Sequence, residues 1–305
     1  MLRGPGVALA CLLAGASAAG CAALGPTGDG TSVAYGFHNA GELIDGVRLP
    51  VRGDGYLIPG TWARRGLHYG TEELVALLVR AARRVELEAP GATLYVGDLS
   101  PARGGASAWH RSHQTGRDAD LIFFAVDEAG HAAPPPAGML VYGPDGMTAT
   151  TDRAGKPLAS PPPPRRFDVA RNWALVKALL EDPAVDVQYL FIADHLESLL
   201  VAHAAATGEP EDLIRRAEAV LHQPGDSAPH DDHLHVRIYC PATDRVVGCR
   251  ERGPVRWFKK SYKYLASRHL QRLLPPPVAE VLVRPFCHFV ASSVLASIWP
   301  GPTSL

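Results

Sequence analysis

The chain has 305 residues, 47% of them hydrophobic, and a formal net charge of -1. That is room for one large domain or two small ones with a sizeable core. The charge excludes a global field favouring nucleic acid, and neither internal repeats nor a Gly-rich phosphate loop of Walker or dinucleotide type occur.

The N-terminus reads as an export signal. Arg3 gives a small positive start, residues 7–19 an apolar stretch too short to span a membrane, and small residues follow. Cys21 follows Ala18-Ala19-Gly20, which resembles a bacterial lipoprotein processing site with Ala18 where Leu is usual. Two outcomes stay open, lipidation of Cys21 with attachment to the outer membrane, or ordinary cleavage nearby. Both place the protein in the periplasm. The expected organisation is a signal over 1–21, a tether over 22–40, one main folded domain over 41–255 and a C-terminal extension over 256–305.

Thr71 is a good N-cap, with Glu72 and Glu73 behind it, and Leu74, Leu77, Leu78, Ala81 and Val85 recur at helical spacing until Pro90-Gly91. A strand is expected over 93–99, a Gly-containing loop over 101–108 and a buried strand over 120–126. Residues 130–165 are rich in Pro and Gly and read as an irregular surface excursion. A helix over 168–180, a strand over 187–192, helices near 195–206 and 210–221 and a strand over 233–238 follow. Strands and helices without a regular βαβ rhythm predict an α+β fold, a small and mainly antiparallel sheet flanked by helices. The stretch from Trp257 to Leu274 is basic and aromatic, either a surface-binding element or a solvated helix face. The tail over 278–298 is apolar but interrupted by Arg284-Pro285.

Cys240 and Cys249 flank a short segment. A bridge between them would pin the strand before it, in keeping with an exported protein, while two reduced buried thiols are the alternative.

Two histidine clusters carry the chemistry. The first runs His110-Arg111-Ser112-His113-Gln114-Thr115-Gly116-Arg117-Asp118-Ala119-Asp120, the second His230-Asp231-Asp232-His233-Leu234-His235-Val236-Arg237. Imidazole and carboxylate are the ligands a catalytic Zn²⁺ takes, commonly three from protein. His113 and Asp120 can fold around one ion if Gly116 permits the turn. His233 and His235 point to one face of a strand, so one can bind metal while its neighbour sits beside the substrate. Asp118 shares a face with Asp120 and can orient a ligand His. Arg237 either points inward, where it could stabilise an oxyanion, or makes a structural salt bridge.

The pattern Gly97-Asp98, Gly104-Gly105, His110-x-x-His113-Gln114-Thr115-Gly116-x-Asp118-x-Asp120, then His230-x-x-His233-x-His235-Val236-Arg237 and Cys240-Pro241, resembles the penicillin-insensitive murein endopeptidases. They are relatives of lysostaphin-type enzymes, D-Ala-D-Ala metallopeptidases and hedgehog domains. The resemblance covers roughly residues 45–255. It implies zinc on His113, Asp120 and His235, with His110 as a further candidate ligand, and catalytic roles for His233 and His230. It implies peptidoglycan as partner and hydrolysis of the D-alanyl to meso-diaminopimelyl cross-link. Two alternatives are a D,D-carboxypeptidase of peptidoglycan stems and a zinc-containing wall-binding module without turnover. The chain departs from some relatives in having no His between His131 and His195, where a second metal pair is described in them.

Overall fold

The structure, a computed structural model, describes residues 30–254. The expectations for 1–29 and 255–305, namely the export signal, Cys21, the basic aromatic stretch and the apolar tail, lie outside the described residues. In chain order come β1 (Val33–Phe37), β2 (Ala40–Ile44), β3 (Val47–Arg48), β4 (Arg52–Gly53), β5 (Tyr56–Leu57), α1 (Gly60–Ala63), β6 (Tyr69–Gly70), α2 (Glu72–Glu88) and β7 (Leu94–Val96). After them come β8 (Asp118–Ile122), β9 (Ala125–Val126), β10 (Arg166–Phe167), α3 (Val169–Leu180), β11 (Val187–Phe191), α4 (Asp194–Ala206), α5 (Glu211–Val220), β12 (Leu221–His222), β13 (His233–Ile238) and α6 (Ala242–Val247). No helix of the described residues is long and apolar enough to cross a membrane.

Seven strands form the main sheet in the order β12-β11-β13-β8-β7-β5-β4. Only β11 with β12 and β5 with β7 run parallel; the other neighbours are antiparallel. The fold is α+β with a mainly antiparallel sheet. β8 and β13 lie side by side at its centre, and their alternation explains why. Ala119 and Leu121 on β8, and Leu234, Val236 and Ile238 on β13, join the core. Asp118 and Asp120, and His233, His235 and Arg237, take the other face.

The core side is closed by helices with an apolar stripe. On α2 the Thr71 hydroxyl accepts from Leu74 N–H, and Leu74, Leu77, Leu78, Ala81 and Val85 are all buried. Burying each large aliphatic there contributes about 1.5–3 kcal/mol relative to exposure. α3 starts at Asp168, whose carboxylate accepts from Arg171 N–H, and buries Leu175, Val176, Leu179 and Leu180.

The structure corrects two expectations. The tether stops short of residue 40. Val33–Phe37 is β1, paired with β2, and Ala34 is fully buried with its N–H donating to Asp244 Oδ2 at 2.7 Å. Small residues read as loose chain by composition, but here a small side chain is what fits against the Cys240 and Cys249 sulfurs. The strand expected over 120–126 begins at Asp118 and leaves the sheet after Ile122. Asn172 causes the break: its Oδ1 accepts from Phe124 N–H at 3.1 Å and its Nδ2 donates to Phe124 O at 2.8 Å. The backbone is thus satisfied without a strand partner. β9 then pairs with β10 instead.

The Pro-rich excursion carries no helix or strand between β9 and β10. It docks by Tyr142, packed edge-on against Phe123 and Phe167, and by Arg153, which donates to Asp231 at 2.6 Å.

Cys240 and Cys249 form a disulfide with Cα atoms 5.9 Å apart. It follows β13 directly and ties its end to the segment that caps β1. By loop-closure entropy a bridge of this span contributes about 2–3 kcal/mol. Cys240→Ser with Cys249→Ser is therefore expected to lower the unfolding free energy by about that amount, read from the urea midpoint. An unchanged midpoint would mean that the bridge contributes nothing.

Candidate metal centre

The first cluster is a loop that delivers two side chains to one point. Gly116 turns the chain into β8 with φ +71°, in a space where a Cβ would lie 2.6 Å from Leu43 Cδ1. His113 itself has φ +66°, uncommon for a residue with a side chain. Nearby Gly104, at φ +63°, lets the backbone pass so close that a Cβ would sit 2.0 Å from Gln114 O. The neighbourhood thus over-determines an unfavourable conformation, as is common where a side chain must be aimed. The aim is set by Leu99 O, 3.0 Å from His113 Nδ1. Nδ1 donates there, so Nε2 carries the free lone pair.

The second cluster enters by sheet register. His235 lies opposite Asp120, Arg237 opposite Asp118 and His233 opposite Ile122. His235 Nε2 donates to Asp118 Oδ1 at 2.8 Å, which leaves the Nδ1 lone pair facing Asp120. Arg237 Nε donates to the same Asp118 oxygen at 2.6 Å.

Three acceptor atoms therefore converge. Asp120 Oδ1 is 3.3 Å from His113 Nε2 and 3.3 Å from His235 Nδ1. His113 Nε2 and Asp120 Oδ1 are buried without a hydrogen-bond partner. Buried lone pairs aimed at one another are costly unless a cation lies between them. A tetrahedral ion with bonds of about 2.0–2.1 Å sets its ligand atoms about 3.3–3.4 Å apart, and both distances to Asp120 Oδ1 match. These residues fit a zinc ion, with Asp118 holding the His235 tautomer and Leu99 O the His113 tautomer.

His110 stands one step outside. Its Nε2 is 2.9 Å from Asp98 Oδ2 and 3.7 Å from Asp120 Oδ2, and its ring stacks on His113. The Asp98 oxygen also receives Arg65 Nη1 at 2.5 Å. His233 Nε2 is 3.4 Å from Asp120 Oδ1, while its Nδ1 is held by Asp232 Oδ1 at 2.6 Å. The His230 ring centre lies 5.1 Å from that of His233. Ligand atoms of His230, His233 and His235 fall within 4.8 Å of one another, as do those of His110, His113 and Asp120.

Burial alone would raise both buried carboxylates. Arg237 and His235 instead hold Asp118 far below the usual range, and His113 and His233 hold Asp120 well below it. Burial pushes His235 down to about 3, outweighing its Asp118 hydrogen bond. Burial, followed by the charge of His233, pushes His230 down to about 4. Burial also disfavours charge on His233, but Asp120 and Asp232 outweigh it and push its pKa up to about 10. Against its own burial, His113 is raised by the Asp120 charge.

A cleft of about 540 Å³ opens over this group, lined by His38, Trp109, His230, His233, His235 and Arg237 among others. Arg117 lies buried behind the end of β13. Fully buried, it donates to Ile238 O at 3.0 Å and Arg250 O at 3.2 Å.

Every site residue expected from sequence reaches this one place. Sequence reasoning assigned no role to Asp232, His38, Phe191 or Arg65. Asp232 alone had a signal, its position next to His233. The others come from distant segments with no pattern to betray them.

A family model described as penicillin-insensitive murein endopeptidase matches residues 34–134, which include the first cluster and not the second. Proteins named penicillin-insensitive murein endopeptidase from Salmonella arizonae, Salmonella paratyphi B and Salmonella newport are each 27% identical to this chain over 217 residues. That covers 70% of this chain and 68% of theirs. In sequence, then, the chain resembles the penicillin-insensitive murein endopeptidases.

Proposed function

We propose that this protein is a zinc-dependent endopeptidase of the periplasm that hydrolyses D-alanyl to meso-diaminopimelyl cross-links in peptidoglycan. The observation that carries the reading is the approach of His113 Nε2 and His235 Nδ1 to Asp120 Oδ1, each at 3.3 Å, with His113 Nε2 and Asp120 Oδ1 lacking a partner. The relatives' printed name supplies the substrate class. In this reading His113, Asp120 and His235 hold Zn²⁺. His110 is left out of the ligand set because Asp98 engages its Nε2. Export, with Cys21 lipidated or simply cleaved nearby, brings the protein to its polymer.

When bound, zinc polarises the scissile carbonyl and lowers the pKa of the attacking water. The remaining chemistry belongs to the chain. His233 and His230 stand beside the ligand group, where one imidazole takes the water's proton and passes it to the departing amine. Asp232 orients His233 by its Nδ1, so that Nε2 faces the reacting centre. The raised proton affinity of His233 rests first on Asp120, so it falls once that carboxylate is engaged as a ligand. The open cleft leaves room for a branched peptide.

The test is chromatography of muropeptides before and after treatment. Cross-linked dimers should become monomers, and a zinc chelator should stop the conversion, with penicillin having no effect. Dimers that persist while pentapeptide stems shorten by one residue would replace the reading with a D,D-carboxypeptidase. No change by zinc-loaded protein would favour a wall-binding module.

A further inference from the structure

Arg237 is a buried guanidinium that its own fold uses only in part. Its side chain is 8% exposed, yet it lines the cleft. Nε is committed to Asp118 Oδ1, and the Phe191 ring lies 5.1 Å from the guanidinium carbon. Those two contacts fix the plane of the group. Its Nη atoms make no hydrogen bond to protein among the described residues, so up to four N–H donors are left for a ligand. Such a fork matches a carboxylate, which it can bind through two parallel hydrogen bonds.

The surroundings favour an anion. Asp118 carries one negative charge, which it shares between Arg237 and His235. Arg117 adds a second buried guanidinium, whose hydrogen bonds among the described residues go to backbone carbonyls and the Thr115 hydroxyl. His38, facing them from the β1–β2 turn, is pushed down to about 4 by burial and by Arg237, and so adds no charge near neutral pH. Beside Arg237 itself the one carboxylate in hydrogen-bond contact among the described residues is Asp118, which it shares with His235.

Position selects which anion. Arg237 and His235 are two residues apart on one face of β13, about 6.6 Å along the strand. In the proposed substrate, the amine side of the scissile amide carries a free carboxylate on the adjoining carbon, three bonds from the scissile carbonyl carbon. A carbonyl at the ligand group thus puts that carboxylate on the Arg237 side or on the opposite, His233 side, where Asp232 and Asp231 already engage His233 and Arg153. We infer that Arg237 is the carboxylate anchor of the substrate, binding the free carboxylate next to the departing amine and so setting which way the cross-link lies in the cleft. This rests on the endopeptidase reading for the identity of the ligand.

The direct test needs no turnover. Calorimetry compares zinc-loaded protein binding the amine-side stem monomer with its carboxylate free and with that one carboxylate converted to carboxamide. The free acid should bind on the order of tenfold to a hundredfold more tightly, the range of a charge-assisted pair. Arg237→Gln should reduce the difference to about twofold or less, while Arg237→Lys, which keeps the charge beside Asp118, should retain part of it. Zinc content and circular dichroism of each variant check that the fold survives. Equal binding of acid and carboxamide by wild type overturns the inference without any variant. In kinetics, cross-linked dimers carrying that carboxylate free or as the carboxamide should show the effect in KM. A loss in kcat of equal size for both substrates would make Arg237 an oxyanion group and overturn the anchor. Failure of the endopeptidase reading shows separately, as absent cleavage of either dimer.

Discussion

If the proposed function holds, wild type purifies with one equivalent of zinc, and His113→Ala and His235→Ala are each expected to lose that zinc and all turnover. Each substitution removes one of three converging lone pairs, and two protein ligands do not hold a catalytic zinc at useful affinity. The fold should survive, because the β8–β13 ladder and the helical core do not depend on either imidazole. Elemental analysis gives the stoichiometry, and thermal melts give an independent readout. Zinc at a hundredfold excess over its Kd should stabilise wild type by about 2.7 kcal/mol through mass action, and neither variant at all. Asp118→Asn should be milder. It keeps an acceptor for His235 Nε2 but loses the charge, and such changes weaken metal binding on the order of 10–100-fold. Stoichiometric zinc in both alanine variants would refute the ligand set.

His233→Ala should keep its zinc and lose on the order of 10²–10⁴ in kcat, the usual contribution of a positioned proton-transfer group. Its surroundings support the proposed role. Asp232 fixes one nitrogen at 2.6 Å and the other stands 3.4 Å from Asp120 Oδ1. Asp232→Asn leaves His233 in place but weakens its orientation, so its effect should fall between wild type and His233→Ala. His230→Ala should resemble His233→Ala if the pair acts together, since the two rings are neighbours in the cleft. Near-normal rates in both His variants, with zinc retained, would move the proton acceptor elsewhere.

Much of this was legible because it is local. The alternation of His233, Leu234, His235, Val236 and Arg237 states which side chains share a face, since a strand has period two whatever surrounds it. The Thr71 cap and the apolar spacing behind it likewise state a helix. The loop at 113–120 announced its turn through Gly116. Cys240 and Cys249 announced their bridge by short separation and by following the strand. Where local signals misled, a distant group had intervened. Asn172 ended the strand at Ile122 by satisfying the Phe124 backbone, and Asp244 with the disulfide drew residues 33–37 out of the expected tether.

By itself, then, the sequence determined the residue types of the site, the face each takes and the elements that carry them. Only the tertiary structure decided which atoms meet. Antiparallel register placed His235 against Asp120 and Arg237 against Asp118. Leu99 O and Asp118 chose the tautomers that turn His113 Nε2 and His235 Nδ1 toward Asp120. It also resolved Arg237, which sequence left open between an inward role and a salt bridge: it makes the salt bridge with Nε and lines the cleft as well. The reason is physical. Backbone periodicity is a property of neighbouring residues. A hydrogen-bond partner more than a hundred residues away is a property of the packed sheet, and no local pattern encodes it.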